Sequence, residues 1–124
     1  MKVLVVDDNP LVVWSVVNAL KTLDLKVEGV TSGRDAIRRI DSDGYDLVIT
    51  DFRMPDVSGI EVAKVIKYKN PGTKVILLTA YAYLDDLKTM ASALAINRII
   101  EKPYNIDEIL KFVQEIIGNV QKAD

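Results

Sequence analysis

Leu47-Val48-Ile49-Thr50-Asp51 is the stretch from which the fold is read. Its apolar part is continuous, rich in β-branched residues, and stops at an acid. A strand with one wet face alternates apolar and polar residues, whereas a strand buried on both faces does not. Val3-Leu4-Val5-Val6, closed by Asp7-Asp8, follows the same rule, as does Val75-Ile76-Leu77-Leu78, closed by Thr79. These read as central strands. Val27-Glu28-Gly29-Val30 and Ile99-Ile100 are weaker and more mixed, and belong at the sheet edges.

Helix patterns fill the intervals. Asn9 caps a first helix with Pro10 at its first position and Val13, Trp14, Val17 and Leu20 marking its length. Ser32 with Asp35, and Ser58 with Glu61, open two more. Leu84 to Leu94 forms a fourth with a thin apolar face of Leu87, Met90 and Ala91, the helix expected to pack least firmly. Ile106, Ile109, Leu110, Val113, Ile116 and Ile117 keep helical spacing in the fifth. Asn105 and Glu108 have the form of a capping box there, and Gly118 is a candidate terminator. Strand and helix in alternation predict an α/β fold, a doubly wound five-stranded parallel sheet with five helices on its two faces. Repeats, low-complexity segments and linkers are absent, so residues 1–124 read as one domain.

Composition narrows the chemistry. The 124 residues include no Cys and no His. That excludes disulfides, thiol nucleophiles and the usual zinc ligands, and leaves hard cations held by oxygen. A formal net charge of -2 gives no bulk attraction for nucleic acid. Lys64, Lys67, Lys69 and Lys74 are read as a solvated face and turn. The start Met1-Lys2-Val3-Leu4-Val5-Val6-Asp7-Asp8 is too short in apolar residues for a signal peptide, and no apolar run reaches membrane-spanning length. A soluble, cytoplasmic chain is expected.

Ligands of open parallel sheets gather beyond the carboxyl ends of the strands, where strand order switches. Asp7 and Asp8 follow the first strand, Asp51 the third and Lys102 the fifth, while Thr79 closes the fourth. Taken singly, Asp7 and Asp8 suit a helix N-terminus, Thr79 suits a strand end, and Lys102 suits any surface. Together, four strand ends supply complementary groups. Carboxylates about 4 Å apart repel by about 4 kcal/mol at an effective dielectric of about 20. A bound cation or a bound proton relieves that repulsion, and Mg²⁺ is the natural occupant of an all-oxygen site. An ionised Asp51 is also a competent nucleophile toward phosphorus.

Those residues resemble the response-regulator receiver family of two-component signalling. The resemblance is carried by Val6-Asp7-Asp8-Asn9-Pro10, Asp51-Phe52-Arg53-Met54-Pro55-Asp56-Val57-Ser58-Gly59, Leu78-Thr79-Ala80 and Glu101-Lys102-Pro103-Tyr104, in order and across essentially the whole chain. It implies a flavodoxin-like sheet of order 2-1-3-4-5 and Asp51 as phosphoacceptor. It implies Mg²⁺ held by Asp7, Asp8, Asp51 and the backbone carbonyl of Arg53. Thr79 would be the switch hydroxyl, Lys102 the phosphate-facing lysine, and the Lys102–Pro103 peptide cis. The chain would then be a signalling switch rather than an enzyme. The phosphoryl group would come from a sensor histidine kinase, and the change would be reported on the fourth helix, fifth strand and fifth helix. The partner there would be an output domain, an effector or a second copy of the chain, with no direct role for nucleic acid or membrane.

Three features depart from the family's pattern. One is the bulky pair Arg53 and Tyr81, which the resemblance places on the route of the hydrolytic water and which imply slow self-dephosphorylation. Ile99 stands where an aromatic switch residue is common, which leaves Tyr81, Tyr83 and Tyr104 as candidates for that part. The segment Ala93-Leu94-Ala95-Ile96-Asn97 lacks the usual Gly-Ala step, so its turn is expected to differ. The rival readings are a receiver-like binding module without the chemistry and a small phosphatase with an aspartyl nucleophile. The phosphatase reading needs Asp-x-Asp after the first strand, and Asp7-Asp8-Asn9 does not supply it. A nucleotide binder would need a Gly-rich turn there, which is also missing.

Overall fold

A computed structural model describes residues 1–81 and 84–122. Strands β1 (Lys2–Val6), β2 (Lys26–Val30), β3 (Leu47–Asp51), β4 (Lys74–Thr79) and β5 (Arg98–Glu101) alternate with helices. The helices are α1 (Pro10–Lys21), α2 (Gly33–Ser42), α3 (Gly59–Lys69), α4 (Asp85–Ala93) and α5 (Ile106–Lys122). The sheet is parallel, in the order β2-β1-β3-β4-β5. The fold class, the strand order and the placing of β2 and β5 at the edges are all as expected.

Alternation along each buried strand feeds two cores at once. Val3, Val5, Leu47, Ile49, Ile76, Leu78 and Ile100 face α1 and α5, against Val16, Leu20, Ile109 and Val113. Leu4, Val6, Val48 and Val75 face the other way, against Ala36 and Ile40 of α2 and Val62, Ala63 and Ile66 of α3. Both sets are apolar, which is why the sequence shows continuous runs. A smaller cluster of Ile60, Leu77 and Leu87 lies under α4, with Ile99 half-buried against it.

The predicted caps form. Asn9 Oδ1 accepts from the N–H of Leu11, Ser32 Oγ from Asp35 and Ser58 Oγ from Glu61. At α5, Asn105 Oδ1 accepts from the N–H of Asp107 and Glu108 Oε1 from that of Asn105, a reciprocal box. α4 has no side-chain cap and buries Leu87 and Ala91, while Met90 is exposed. It is thinly held, as its sequence implies.

Some expectations need correction. Trp14 is 67% exposed and Val16 takes the buried position on α1. Trp14 lies one residue after Val13 and so a full 100° round the helix from it. Gly118 does not end α5, which continues to Lys122. One interior glycine costs a helix roughly 1 kcal/mol, which weakens it without breaking it. The turn after α4 is not irregular. Ala95 adopts φ 54°, its N–H donates to Ser92, and the N–H of Ile96 donates to Ala91. That is a Schellman motif with alanine at the left-handed position.

Candidate functional site

Sheet register brings the polar strand ends together. Val6 pairs with Thr50, so Asp7 emerges beside Asp51. Thr79 pairs with Glu101, so Lys102 emerges one residue further on. The N–H of Lys102 donates to the carbonyl of Thr79 at 2.8 Å, and that of Phe52 to Leu78 at 2.9 Å. Asp51 is itself the last residue of β3 rather than the first beyond it. Apolar strands carry Asp7, Asp51 and Thr79 into the interior, where they are 2%, 7% and 1% exposed. Asp8 stays at the surface.

Lys102 Nζ lies 2.7 Å from Asp51 Oδ1 and 3.7 Å from Asp7 Oδ2. Burial opposes its charge, but the Asp51 hydrogen bond and the two carboxylate charges outweigh it and hold the ammonium above its usual range. Asp7 is pushed the other way. Burial raises its carboxyl, assisted by the charges of Asp51 and Asp8, against a lowering hydrogen bond from the N–H of Asn9 at 2.9 Å and the charge of Lys102. Burial likewise raises the phenol of Tyr104, which shares a groove with Val12, Ala80, Lys102 and Pro103. The Lys102–Pro103 peptide is cis.

The donor set fits a hard divalent cation. Asp7, Asp8 and Asp51 each present an oxygen within 4.8 Å of the others. Asp7 Oδ2 is buried and has no hydrogen-bond partner among the described residues. A buried acceptor left in that state costs about 1–3 kcal/mol, which ligation would recover.

Aromatic contacts link the neighbouring loops. The guanidinium of Arg53 stands 4.1 Å from the Tyr81 ring centroid, and Phe52 meets Tyr81 edge-on at 6.3 Å. Thr79 Oγ1 accepts from the N–H of Tyr81 at 2.8 Å. Of the aromatics suggested in place of Ile99, Tyr104 lines the groove beside Lys102, Tyr81 is tied to Thr79 through its N–H, and Tyr83 falls outside the described residues. Asp56 escaped the sequence reading. It sits in the loop after β3, and its carboxylate reaches the N-terminus of α2. Pro55-Asp56-Val57-Ser58 announces a turn, but nothing local names a partner more than twenty residues away.

A parallel sheet of this order, with acids at the ends of β1 and β3, a hydroxyl at β4 and a lysine after β5, defines the flavodoxin-like receiver class. A family model for the response regulator receiver domain matches residues 3–114, and the chain belongs to that family. It is 30% identical over 118 residues to the DNA-binding transcriptional regulator NtrC of Proteus hauseri, covering 95% of this chain and 25% of that protein. The chain thus spans about a quarter of the length of the NtrC relatives it matches. Among solved structures it is similar to response regulator protein TrrA from Thermotoga maritima in complex with Mg(2+)-BeF. There the identity is 33%, the TM-score 0.82, and coverage 93% of this chain and 97% of that one. A CheY-like receiver domain protein from Methanospirillum hungatei aligns with TM-score 0.90 at 25% identity, over 99% and 98% of the two chains. Receiver domains of this family are signalling modules of two-component systems.

Proposed function

We propose that this receiver domain is a phosphorylation-activated switch in which Asp51 takes a phosphoryl group from a sensor histidine kinase. The observation that carries the reading is the contact of Lys102 Nζ with Asp51 Oδ1 at 2.7 Å, beside a buried oxygen of Asp7 that accepts no hydrogen bond among the described residues. Mg²⁺, held by Asp7, Asp8, Asp51 and the backbone carbonyl of Arg53, would offset the acids' charge and that of the incoming phosphoryl oxygens. A carboxylate oxygen of Asp51 forms the new O–P bond as the donor's bond to phosphorus breaks, and the donor keeps that electron pair. Lys102 neutralises a phosphoryl oxygen. The Thr79 oxygen already accepts from Tyr81, which leaves its hydroxyl hydrogen to donate to a second phosphoryl oxygen.

Drawing Thr79 inward would move the Thr79–Tyr81 turn and with it the entry to α4. The light packing of α4 suits an element whose two positions differ little in energy. The face formed by α4, β5 and α5 then reports the change to an output domain, an effector or a second copy. In this reading the domain turns over no substrate and works in the cytoplasm. No helix among the described residues is long and apolar enough to cross a membrane. Beryllofluoride tests the reading against a receiver-like module without chemistry. Binding that requires Mg²⁺ is expected, and no binding under saturating Mg²⁺ contradicts it.

A further inference from the structure

The loop between β3 and α3 is fastened at two places. At its base the N–H of Gly59 donates to the carbonyl of Phe52 at 2.8 Å. A Cβ on Gly59 would stand 2.3 Å from the Asp51 carbonyl oxygen, so only glycine closes the base this tightly. At its tip, Asp56 accepts from the N–H of Gly33 at 3.3 Å and of Arg34 at 2.9 Å. These are the first two residues of α2. Ser32 already serves the next two N–H groups, with its hydroxyl on Asp35 and its carbonyl on Ala36. The remaining N–H groups, which water or a local side chain would ordinarily satisfy, are taken by a carboxylate from a different loop. The approach is close, because a Cβ on Gly33 would lie 2.7 Å from the Val57 carbonyl oxygen. Hydrogen bonds from backbone N–H groups, that of Arg34 first and then those of Val57 and Gly33, outweigh burial and hold the Asp56 carboxyl below its usual range, in its accepting form.

Arg53 lies between the two fastenings. We propose that Asp56 is a positioning residue for the metal: by tying the loop to the N-terminus of α2, it holds the Arg53 carbonyl where Mg²⁺ requires an oxygen. This rests on the functional reading above, in which that carbonyl is a ligand. Mg²⁺ tolerates little departure from octahedral geometry, so a loop free to shift loses affinity rather than the fold.

The test compares Asp56→Ala, Asp56→Asn and Ser32→Ala in the full chain, by calorimetric Mg²⁺ titration in high salt and by amide hydrogen exchange without metal. High salt screens the loss of an exposed charge and leaves positioning intact. Asp56→Ala should weaken Mg²⁺ binding by about tenfold, the scale seen when an outer partner of a ligand is removed. It should also speed exchange at Phe52 and Gly59 in the metal-free protein. Asp56→Asn, which keeps an acceptor, should recover much of both. Ser32→Ala removes a cap from the same helix end without touching the loop, so it should lower the melting temperature and leave Mg²⁺ affinity unchanged. Unaltered affinity and exchange in Asp56→Ala overturn the inference, as does equal weakening by Ser32→Ala. Absence of Mg²⁺ binding by the unsubstituted chain overturns the functional reading itself, and the inference with it.

Discussion

Tyr45 shows at the residue scale how one buried side chain joins two elements. It is 4% exposed, and its hydroxyl donates to Glu28 Oε1 of β2 at 2.6 Å. Arg39 of α2 donates to the same oxygen at 3.3 Å. Burial, reinforced by the Glu28 carboxylate, pushes the phenol up to about 12. A phenol that ionises at 10.0 in the unfolded chain and at about 12 when folded contributes fully below pH 10, and the contribution is lost between those values. Tyr45→Phe should therefore cost about 1 kcal/mol at neutral pH, the usual net worth of such a bond. Its deficit against the unsubstituted chain should shrink as pH rises from 10 to 12 in denaturant titrations. A deficit that stays constant across that range contradicts the assignment. Asp7, Asp8, Asp51, Thr79 and Lys102 were legible because each ends or follows an apolar run, and the sheet gathers such ends at one edge. Tyr45 and Asp56 were not, because their partners are set by tertiary approach. Trp14 was misread because apolar character alone does not tell which side of a helix is covered.

Element boundaries followed capping chemistry wherever a side chain supplied it, as at Asn9, Ser32, Ser58 and Asn105. They were missed where backbone geometry alone decides. Ala95 is the clearest case. A left-handed alanine costs roughly 1–2 kcal/mol over glycine in that conformation, yet Ala95 holds φ 54° because two N–H bonds close the end of α4. The segment was expected to turn differently because it lacks glycine, whereas the turn is conventional and the residue is strained. Ala95→Gly relieves that strain but frees the unfolded chain, which returns about 0.4–1 kcal/mol. The net expectation is a gain of about 0.5–1 kcal/mol in denaturant unfolding, with the midpoint raised and the slope unchanged. A loss of stability would show that Ala95 contributes packing that the turn geometry does not reveal. The helix running on through Gly118 shows the same limit in reverse. A glycine leaves the helical conformation open as well as the left-handed one, so by itself it does not mark an end.

At the scale of the molecule, the fold was legible because its pattern is redundant. Strands buried on both faces must be apolar throughout, parallel neighbours need crossover helices, and right-handed crossovers leave few arrangements. Convergence of the acids follows from that topology, and so does their need for a counter-charge. Lys102 supplies part of it, at 2.7 Å from Asp51 and 3.7 Å from Asp7. Transmission is less redundantly written. Ile99 packs beneath α4, so in the proposed switch an aromatic contribution would fall to other residues; Tyr81, bound to Thr79 through its N–H and set against the Arg53 guanidinium, would be one of them.

The central claim, that Asp51 is the phosphoacceptor of a metal-dependent switch, is tested most directly by intact mass after incubation with acetyl phosphate. The unsubstituted chain should gain one phosphoryl group in the presence of Mg²⁺ and none when Mg²⁺ is chelated, while Asp51→Asn should stay folded and gain none. Stoichiometric labelling of Asp51→Asn, or labelling of the unsubstituted chain that is indifferent to Mg²⁺, would contradict the account.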